Sequence, residues 1–280
     1  MKYLKLVIQI AEKYQEPLIA ELFDMGFDGF EQRDNQVITY ILKKHFGISD
    51  RERIDTLLAA YPGDGFIESE EVVADQNWNK QWEETIKAQT IGDFFIKPTW
   101  SEETVPEDKI LLEIDPKMSF GTGYHETTRL ILTLLPDIIV DNDFIIDAGT
   151  GTGILSIAAI KLGASHAFAF DIDEWSISNT KENILLNEVD QHIKVEKGSS
   201  EVLSKQNKAD VVLANIERNT ILDIFPDLDG VLKKGGSMVL SGLLNKDKSS
   251  ILSVLEDSYQ VVNIPQENEW IAIQAKKTAQ

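Results

Sequence analysis

Between residues 147 and 153 the chain reads Asp147-Ala-Gly149-Thr-Gly151-Thr-Gly153, directly after the apolar run FII. Glycines at a strand-to-helix turn let the backbone turn tightly and approach a ligand, with helix amides facing it. Nucleotide-binding folds share such loops, so the spacing must narrow the choice. A dinucleotide loop, G-x-G-x-x-G, places its third glycine one residue later, and a phosphate-binding P-loop ends in Lys followed by Ser or Thr. Neither form is present. The next apolar strand ends in Asp171-Ile172-Asp173. A carboxylate at the end of a second strand accepts hydrogen bonds from the hydroxyls of a ribose. Asp171 is the expected ribose contact, and Asp173 is expected instead to cap the following helix. Asp147 closes the first strand and either touches the ligand or orients the loop. Asn215 closes the fourth strand, where a polar residue facing a substrate belongs, because ligands sit outside the carboxyl ends of such sheets.

These residues need a parallel sheet to hold them, and the second part of the chain supplies its pattern. From about residue 124, helical and strand patterns alternate: a helix near 125–135, a strand through FIIDAG, a helix at 153–163, the strand HAFAFDID and a helix at 174–187. Further strands fit 193–197, 209–215, 237–243, 259–264 and 269–275. Strands separated by helices predict an α/β domain with a mostly parallel seven-stranded sheet, covered on both faces. The last two strands lie too close for a crossover and should pair antiparallel.

Residues 1–74 follow another rhythm. Strand 3–10, helix 15–25, two strands around Arg33-Asp34-Asn35, a helix at 50–60 opening on an acidic cap, and a strand at 66–73 predict a small α+β ferredoxin-like domain. Residues 75–90 predict a linker helix with Trp78 and Trp82 on one face. Single strands are expected at 91–97 and 109–114. The N-terminal decad MKYLKLVIQI lacks a small-residue cleavage site and reads as a strand rather than a signal peptide, so a cytoplasmic protein is expected.

Composition sets limits. With 280 residues, 42% hydrophobic and 26% charged, the chain has the material for a buried core. It contains no cysteine, and His45, His125, His166 and His192 show no paired ligand spacing, so no metal is expected. The formal net charge is −20. Lysine pairs occur at Lys43-Lys44 and Lys233-Lys234, but no sustained basic run does, so direct nucleic-acid binding is not expected. The acidity serves solubility or attracts a basic protein partner. It also fits a monomer.

The loop has the D/E-x-G-x-G-x-G form found in methyltransferases, and one segment makes the likeness specific. Asp115-Pro-Lys-Met-Ser-Phe-Gly-Thr-Gly-Tyr-His-Glu-Thr-Thr128 resembles the D-P-x-x-x-F-G-T-G-x-H-x-T-T signature of the PrmA family of ribosomal protein methyltransferases, which modify large-subunit protein eleven. The resemblance extends through DAGTGTGILSIAAIKLGA, FDIDEWSISNTKEN, ADVVLANI, LKKGGSMVLSGLL and EWIAI, and upstream through NWNKQWEE and IGDFFIKPTW, covering roughly 75–275. It implies a Rossmann-like class I methyltransferase domain over 91–280, using S-adenosyl-L-methionine to methylate lysine side chains, and the N-terminal amine as a further acceptor. It also implies that the N-terminal domain recognises the substrate protein while the linker lets it swing. Thr128, Gly149, Asp171 and Asn215 align with the family's cofactor contacts. Phe120, Gly121, Thr122 and Gly123, with His125, would form a loop closing over the cofactor. Asp147 would then face its methionine end, Gly151 and Gly153 would complete the cradle, and Asn215 would hold the acceptor amine as the catalytic residue. The sequence departs from the family at Glu217-Arg218, where small or apolar residues are usual. It also lacks the Asn-Pro-Pro-Tyr motif of enzymes that methylate bases or glutamine amides.

Two rivals stand beside this reading. One is a methyltransferase of the same fold acting on a small molecule or RNA, which the separate N-terminal domain and the lack of basic patches disfavour. The other is a cofactor-binding ribosome-assembly factor without catalysis, which an intact loop with Asp171 and Asn215 disfavours. The glycine spacing argues against a nicotinamide dehydrogenase.

Overall fold

The computed structural model describes residues 2–63, 65–74, 86–117 and 119–278. The chain divides into two units, Met1–Trp78 and Asn79–Gln280. Trp78 and Trp82 of the expected linker helix lie outside the described residues.

In the first unit, strict alternation puts Leu4, Leu6, Ile8 and Ile10 on one buried face. That strand, β1 (Lys2–Gln9), leads to a helix (Gln15–Asp24), the hairpin β2 (Asp28–Arg33) and β3 (Gln36–Leu42), a second helix (Ile48–Ala59) and β4 (Phe66–Ala74). The sheet order β2-β3-β1-β4 is antiparallel throughout, which is the ferredoxin-like arrangement. Leu18, Leu22, Ile54 and Leu58 from the helices complete its core. The acidic cap expected at Asp50 sits differently. The second helix starts at Ile48, and Asp50 lies within its first turn, accepting a hydrogen bond from the Gly47 amide at 2.8 Å. A carboxylate there still faces the positive end of the helix dipole.

The second unit opens with a small sheet of β5 (Gln89–Ile91), β6 (Phe94–Lys97) and β7 (Ile110–Glu113). The single strand expected over 91–97 is thus a hairpin, because Gly92 reverses the chain with φ +52°. The last residues assigned to the linker helix, Gln89 and Thr90, are extended instead.

The main sheet follows: β8 (Phe144–Ala148), β9 (His166–Asp171), β10 (Ile193–Lys197), β11 (Ala209–Asn215), β12 (Leu232–Leu244), β13 (Tyr259–Asn263), a short β14 (Gln266–Glu267) and β15 (Trp270–Lys277). Its order is β10-β9-β8-β11-β12-β15-β13, with β14 paired to β15. The first five strands run parallel and β15 runs antiparallel to both neighbours, as the short final connection predicts. The central strands carry nearly unbroken apolar runs because helices cover both faces. Ile145, Leu213 and Val239 belong to the core on one face, and Ile146, Val212 and Leu240 to the core on the other. Among the described residues no helix is long and apolar enough to cross a membrane, and no cluster of metal-ligating side chains occurs.

Candidate active site

The glycine loop leaves β8 at its carboxyl end and feeds the helix Ile154–Lys161. Its shape depends on left-handed backbone at Gly149 (φ +71°) and Gly151 (φ +57°). A Cβ on Gly149 would collide with the side chain of Ile216, and one on Gly151 with the carbonyl oxygen of Phe120. Both positions therefore exclude any larger residue on conformation and on space.

Hydrogen bonds fasten the loop from three directions. From below, Thr150 and Ser156 donate their hydroxyls to one oxygen of Asp147, at 2.8 and 2.7 Å. Asp147 is fully buried, and its other oxygen has no hydrogen-bond partner. Burial, opposed in part by those two hydroxyls, pushes its carboxyl above the ordinary aspartate value. From β9, Asp171 accepts the Gly151 amide at 3.0 Å with one oxygen and the Asp173 amide at 3.0 Å with the other. From the preceding loop, the Phe120 carbonyl accepts the Thr152 amide at 2.8 Å, and the Gly121 carbonyl accepts the Thr152 hydroxyl at 2.5 Å.

A cavity of about 410 Å³ opens over this loop at the carboxyl ends of the strands. Phe120, Gly149, Gly151, Asp171, Asn215 and Glu217 are among the residues that line it. Asn215 donates its amide to the Thr128 hydroxyl at 3.3 Å, while its side-chain oxygen is buried without a partner. Asp173 caps the helix Glu174–Leu186 by accepting the Ser176 amide at 3.1 Å. That backbone hydrogen bond holds its carboxyl below the ordinary value.

Of the residues singled out in the sequence, the fold brings Phe120, Gly149, Gly151, Asp171 and Asn215 to one cavity. Thr128 and Asp147 are fully buried behind it, Thr128 holding Asn215 and Asp147 holding the loop. Gly121 and Gly153 are also buried, packing on the Thr152 and Thr180 side chains. Thr122 lies farther along the same loop, where its hydroxyl accepts the Tyr124 amide at 3.4 Å. His125 caps the helix Glu126–Ile138 through its ring nitrogen.

Two sets of positioning residues escape a local reading of the sequence. Asn179, Asn183 and Asn187 lie four residues apart on one face of the helix that starts at Glu174. Asn187 bonds both backbone groups of Glu113 (3.0 and 2.7 Å). Asn183 takes the Asp115 amide and gives to the Thr152 carbonyl, and Asn179 gives to the Asp115 carbonyl. This ladder holds the segment leading into Phe120, and its four-residue spacing is the signal that could have found it. The second set is the β14–β15 turn. Glu267 pairs with Arg129, Asn268 donates to Glu126, and Trp270 packs edge-on against His125 at 4.7 Å, which in turn meets the Phe120 ring at a tilt, with centroids 5.1 Å apart. Contacts spanning about 140 residues leave no local pattern.

A central parallel sheet of this order carries a glycine loop on its first strand, an acid on its second and an asparagine on its fourth. Together these features define a class I methyltransferase domain. The model of the family described as ribosomal protein L11 methyltransferase (PrmA) matches residues 58–278. A ribosomal protein L11 methyltransferase of Porphyromonas gingivalis is 34% identical over 98% of this chain and 97% of its own length. One from Thermoanaerobacter pseudethanolicus is 38% identical over 73% of this chain, and the match spans 66% of that relative. The crystal structure of the ribosomal protein L11 methylase of Lactobacillus delbrueckii subsp. bulgaricus superposes with a TM-score of 0.64. It is 31% identical and covers 69% of this chain and all of that one. The chain belongs to the PrmA family.

Proposed function

We propose that this chain transfers methyl groups from S-adenosylmethionine to amino groups of ribosomal protein L11, lysine side chains first and the N-terminal amine as a further acceptor. The observation that carries the chemistry is Asn215, whose unpartnered buried oxygen stands at the cavity that also holds the glycine loop and Asp171. A native protein seldom leaves such an acceptor unsatisfied without a use for it.

The residues fit the cofactor. Positive-φ glycines make a cradle that side chains would fill, and Asp171 keeps lone pairs beyond those used by the two amides, available to ribose hydroxyls. Phe120, half exposed above the cavity, offers an aromatic cover. When bound, S-adenosylmethionine supplies a methyl group on a positively charged sulfur.

The acceptor amine must arrive neutral, although a lysine has a reference pKa of about 10.4. Desolvation in the cavity favours the free amine, and the Asn215 oxygen, aided by the backbone carbonyl, can hold an N–H so that the nitrogen lone pair is aligned. Positioning of this kind supplies most of the acceleration. The neutral amide of Asn215 cannot take the proton, which is expected to leave to water. The net charge of −20 suits a basic substrate protein, the N-terminal unit is the expected grip on it, and the cytoplasm is the expected place of work.

The test is transfer of labelled methyl from S-adenosylmethionine to purified ribosomal protein L11, with ribosomes and RNA as parallel acceptors. Label on lysine or the N-terminal amine is expected, and Asn215→Ala should lose most of the transfer while still binding S-adenosylhomocysteine. Label on RNA would overturn the substrate, and an undiminished Asn215→Ala rate would overturn the role of Asn215.

A further inference from the structure

Glu217 lies two residues beyond Asn215 on the connection from β11 to the helix Arg218–Val231, and it lines the same cavity. It is exposed, so water and an arriving ligand reach it directly. The one hydrogen bond to its carboxylate among the described residues comes from the hydroxyl of Thr220, itself a cavity-lining residue, at 3.2 Å. The adjacent cation does not neutralise it. Arg218 turns its guanidinium to Asn219 at 2.7 Å and toward Asp247 at 3.6 Å. Among the described residues no lysine or arginine lines the cavity. The other carboxylate described there, Asp171, is occupied by two backbone amides. Neither carboxylate has a counter-ion among the described residues, but Asp171 is tied to the loop amides, whereas Glu217 stands two residues from the unpartnered acceptor of Asn215.

We infer that Glu217 is a specificity-determining residue that receives the cationic alkylammonium of the incoming substrate and selects it over neutral side chains. This deepens the proposed transfer to amino groups and rests on that reading. A lysine in water is an ammonium ion, and the first group it meets on entering is a carboxylate able to pair with it. Deeper in, charge must be lost before transfer, and there the acceptor is the neutral oxygen of Asn215. The two residues thus divide the work: Glu217 attracts the charged form, and Asn215 holds the neutral one. The departure from small or apolar residues at Glu217-Arg218 then has a physical consequence, a stronger preference for cationic acceptors.

The experiment titrates n-butylammonium and, separately, 1-butanol into the full chain saturated with S-adenosylhomocysteine, following chemical shifts of residues around the cavity. The unmodified chain should bind the ammonium ion more tightly than the alcohol. E217Q should weaken the ammonium roughly three- to five-fold, the scale of one exposed ion pair, and leave the alcohol unchanged. E217D should keep part of the preference. Equal affinities in the unmodified chain and E217Q, or no ammonium binding in either, would overturn the inference. So would an E217Q loss of affinity for S-adenosylmethionine without one for S-adenosylhomocysteine, since the carboxylate would then face the cofactor's sulfonium. Labelled transfer to ribosomal protein L11 by the unmodified chain reads the proposed function separately, so either idea can fail without the other.

Discussion

At the amino ends of β8, β9 and β10 lies a cleft of about 930 Å³, lined among others by His166, His192, Lys194, Lys208 and Lys233; at the carboxyl ends of the same sheet lies the cavity of about 410 Å³ over the glycine loop. Size would favour the first. Hydrogen bonding favours the second. In the larger cleft Lys208 donates to the Gly230 carbonyl, Lys233 to Asp210 at 2.7 Å and Lys194 to Glu196 at 3.2 Å, while His192 bonds the Ser165 carbonyl at 2.9 Å. These polar groups are already engaged within the protein. Six buried side-chain polar atoms among the described residues lack a partner, and none lines that cleft. Asp147 and Asn215 sit at the carboxyl end of the sheet, Ser119 precedes Phe120, Asn179 belongs to the ladder holding that segment, Gln89 packs against Gly123, and Thr39 lies apart in β3 of the first unit. Unpartnered polar atoms mark where a parallel sheet does its chemistry better than volume does.

The strongest way to break the comparison is to place a side chain in the cradle at one end and remove one at the other. Gly151→Val would need φ +57° from a β-branched residue and would drive its Cβ into the Phe120 carbonyl. Displacing the loop by about an ångström should lower methyl transfer by roughly 100-fold or more. Lys208→Ala, at the larger cleft, should leave transfer within about two-fold, since exposed contacts of this kind contribute little. Initial rates with labelled cofactor, with thermal melts to confirm folding, compare the two. Comparable losses in both variants would show that the amino-end cleft takes part in the reaction.

The same contrast explains which features are legible in the sequence. Gly149, Gly151, Asp171 and Asn215 are legible because each sits where an apolar strand ends, and strand ends are marked by composition. The pairings of Asn183 with Asp115 and of Glu267 with Arg129 are not, because the partners lie 68 and 138 residues apart along the chain. The hairpin at Gly92 is signalled by the pair Gly92-Asp93, a two-residue turn between short apolar runs, which a single strand drawn over IGDFFIK passes through. Asp147 is legible as an acid beside the loop. Its burial is not, because only the packing of the helix Ile154–Lys161 brings Ser156 over it.

A smaller effect sharpens the distinction between the two acids of the site. Asp171 lines the cavity, and Asp147 lies beneath it. Asp171→Asn keeps one acceptor oxygen but presents an amide donor where the Gly151 or Asp173 amide now points. Calorimetric titration with S-adenosylhomocysteine should show affinity reduced about ten-fold or more, the scale of hydrogen bonds to a charged group. Unchanged affinity would remove Asp171 from the ribose contact and leave it as a brace for the loop.

The subtlest difference is the cost that the carboxyl end imposes on folding. Burial raises the Asp147 carboxyl above its ordinary value of 3.8 in the folded chain, against the lowering effect of Ser156 and Thr150 and with a further push from the charge of Asp171. The folded state therefore binds that proton more tightly than the unfolded state does. Stability contributed by this group is then greatest in acid and falls as pH rises from about 3.8 to the raised value, beyond which it is level. Asp147→Asn carries no such proton, and its side-chain oxygen can still accept the two hydroxyls. The variant should gain melting temperature relative to the unmodified chain as pH rises through that window, and keep a constant advantage above it. A difference in melting temperature between Asp147→Asn and the unmodified chain that does not vary with pH would mean that the buried carboxylate is fully compensated where it lies.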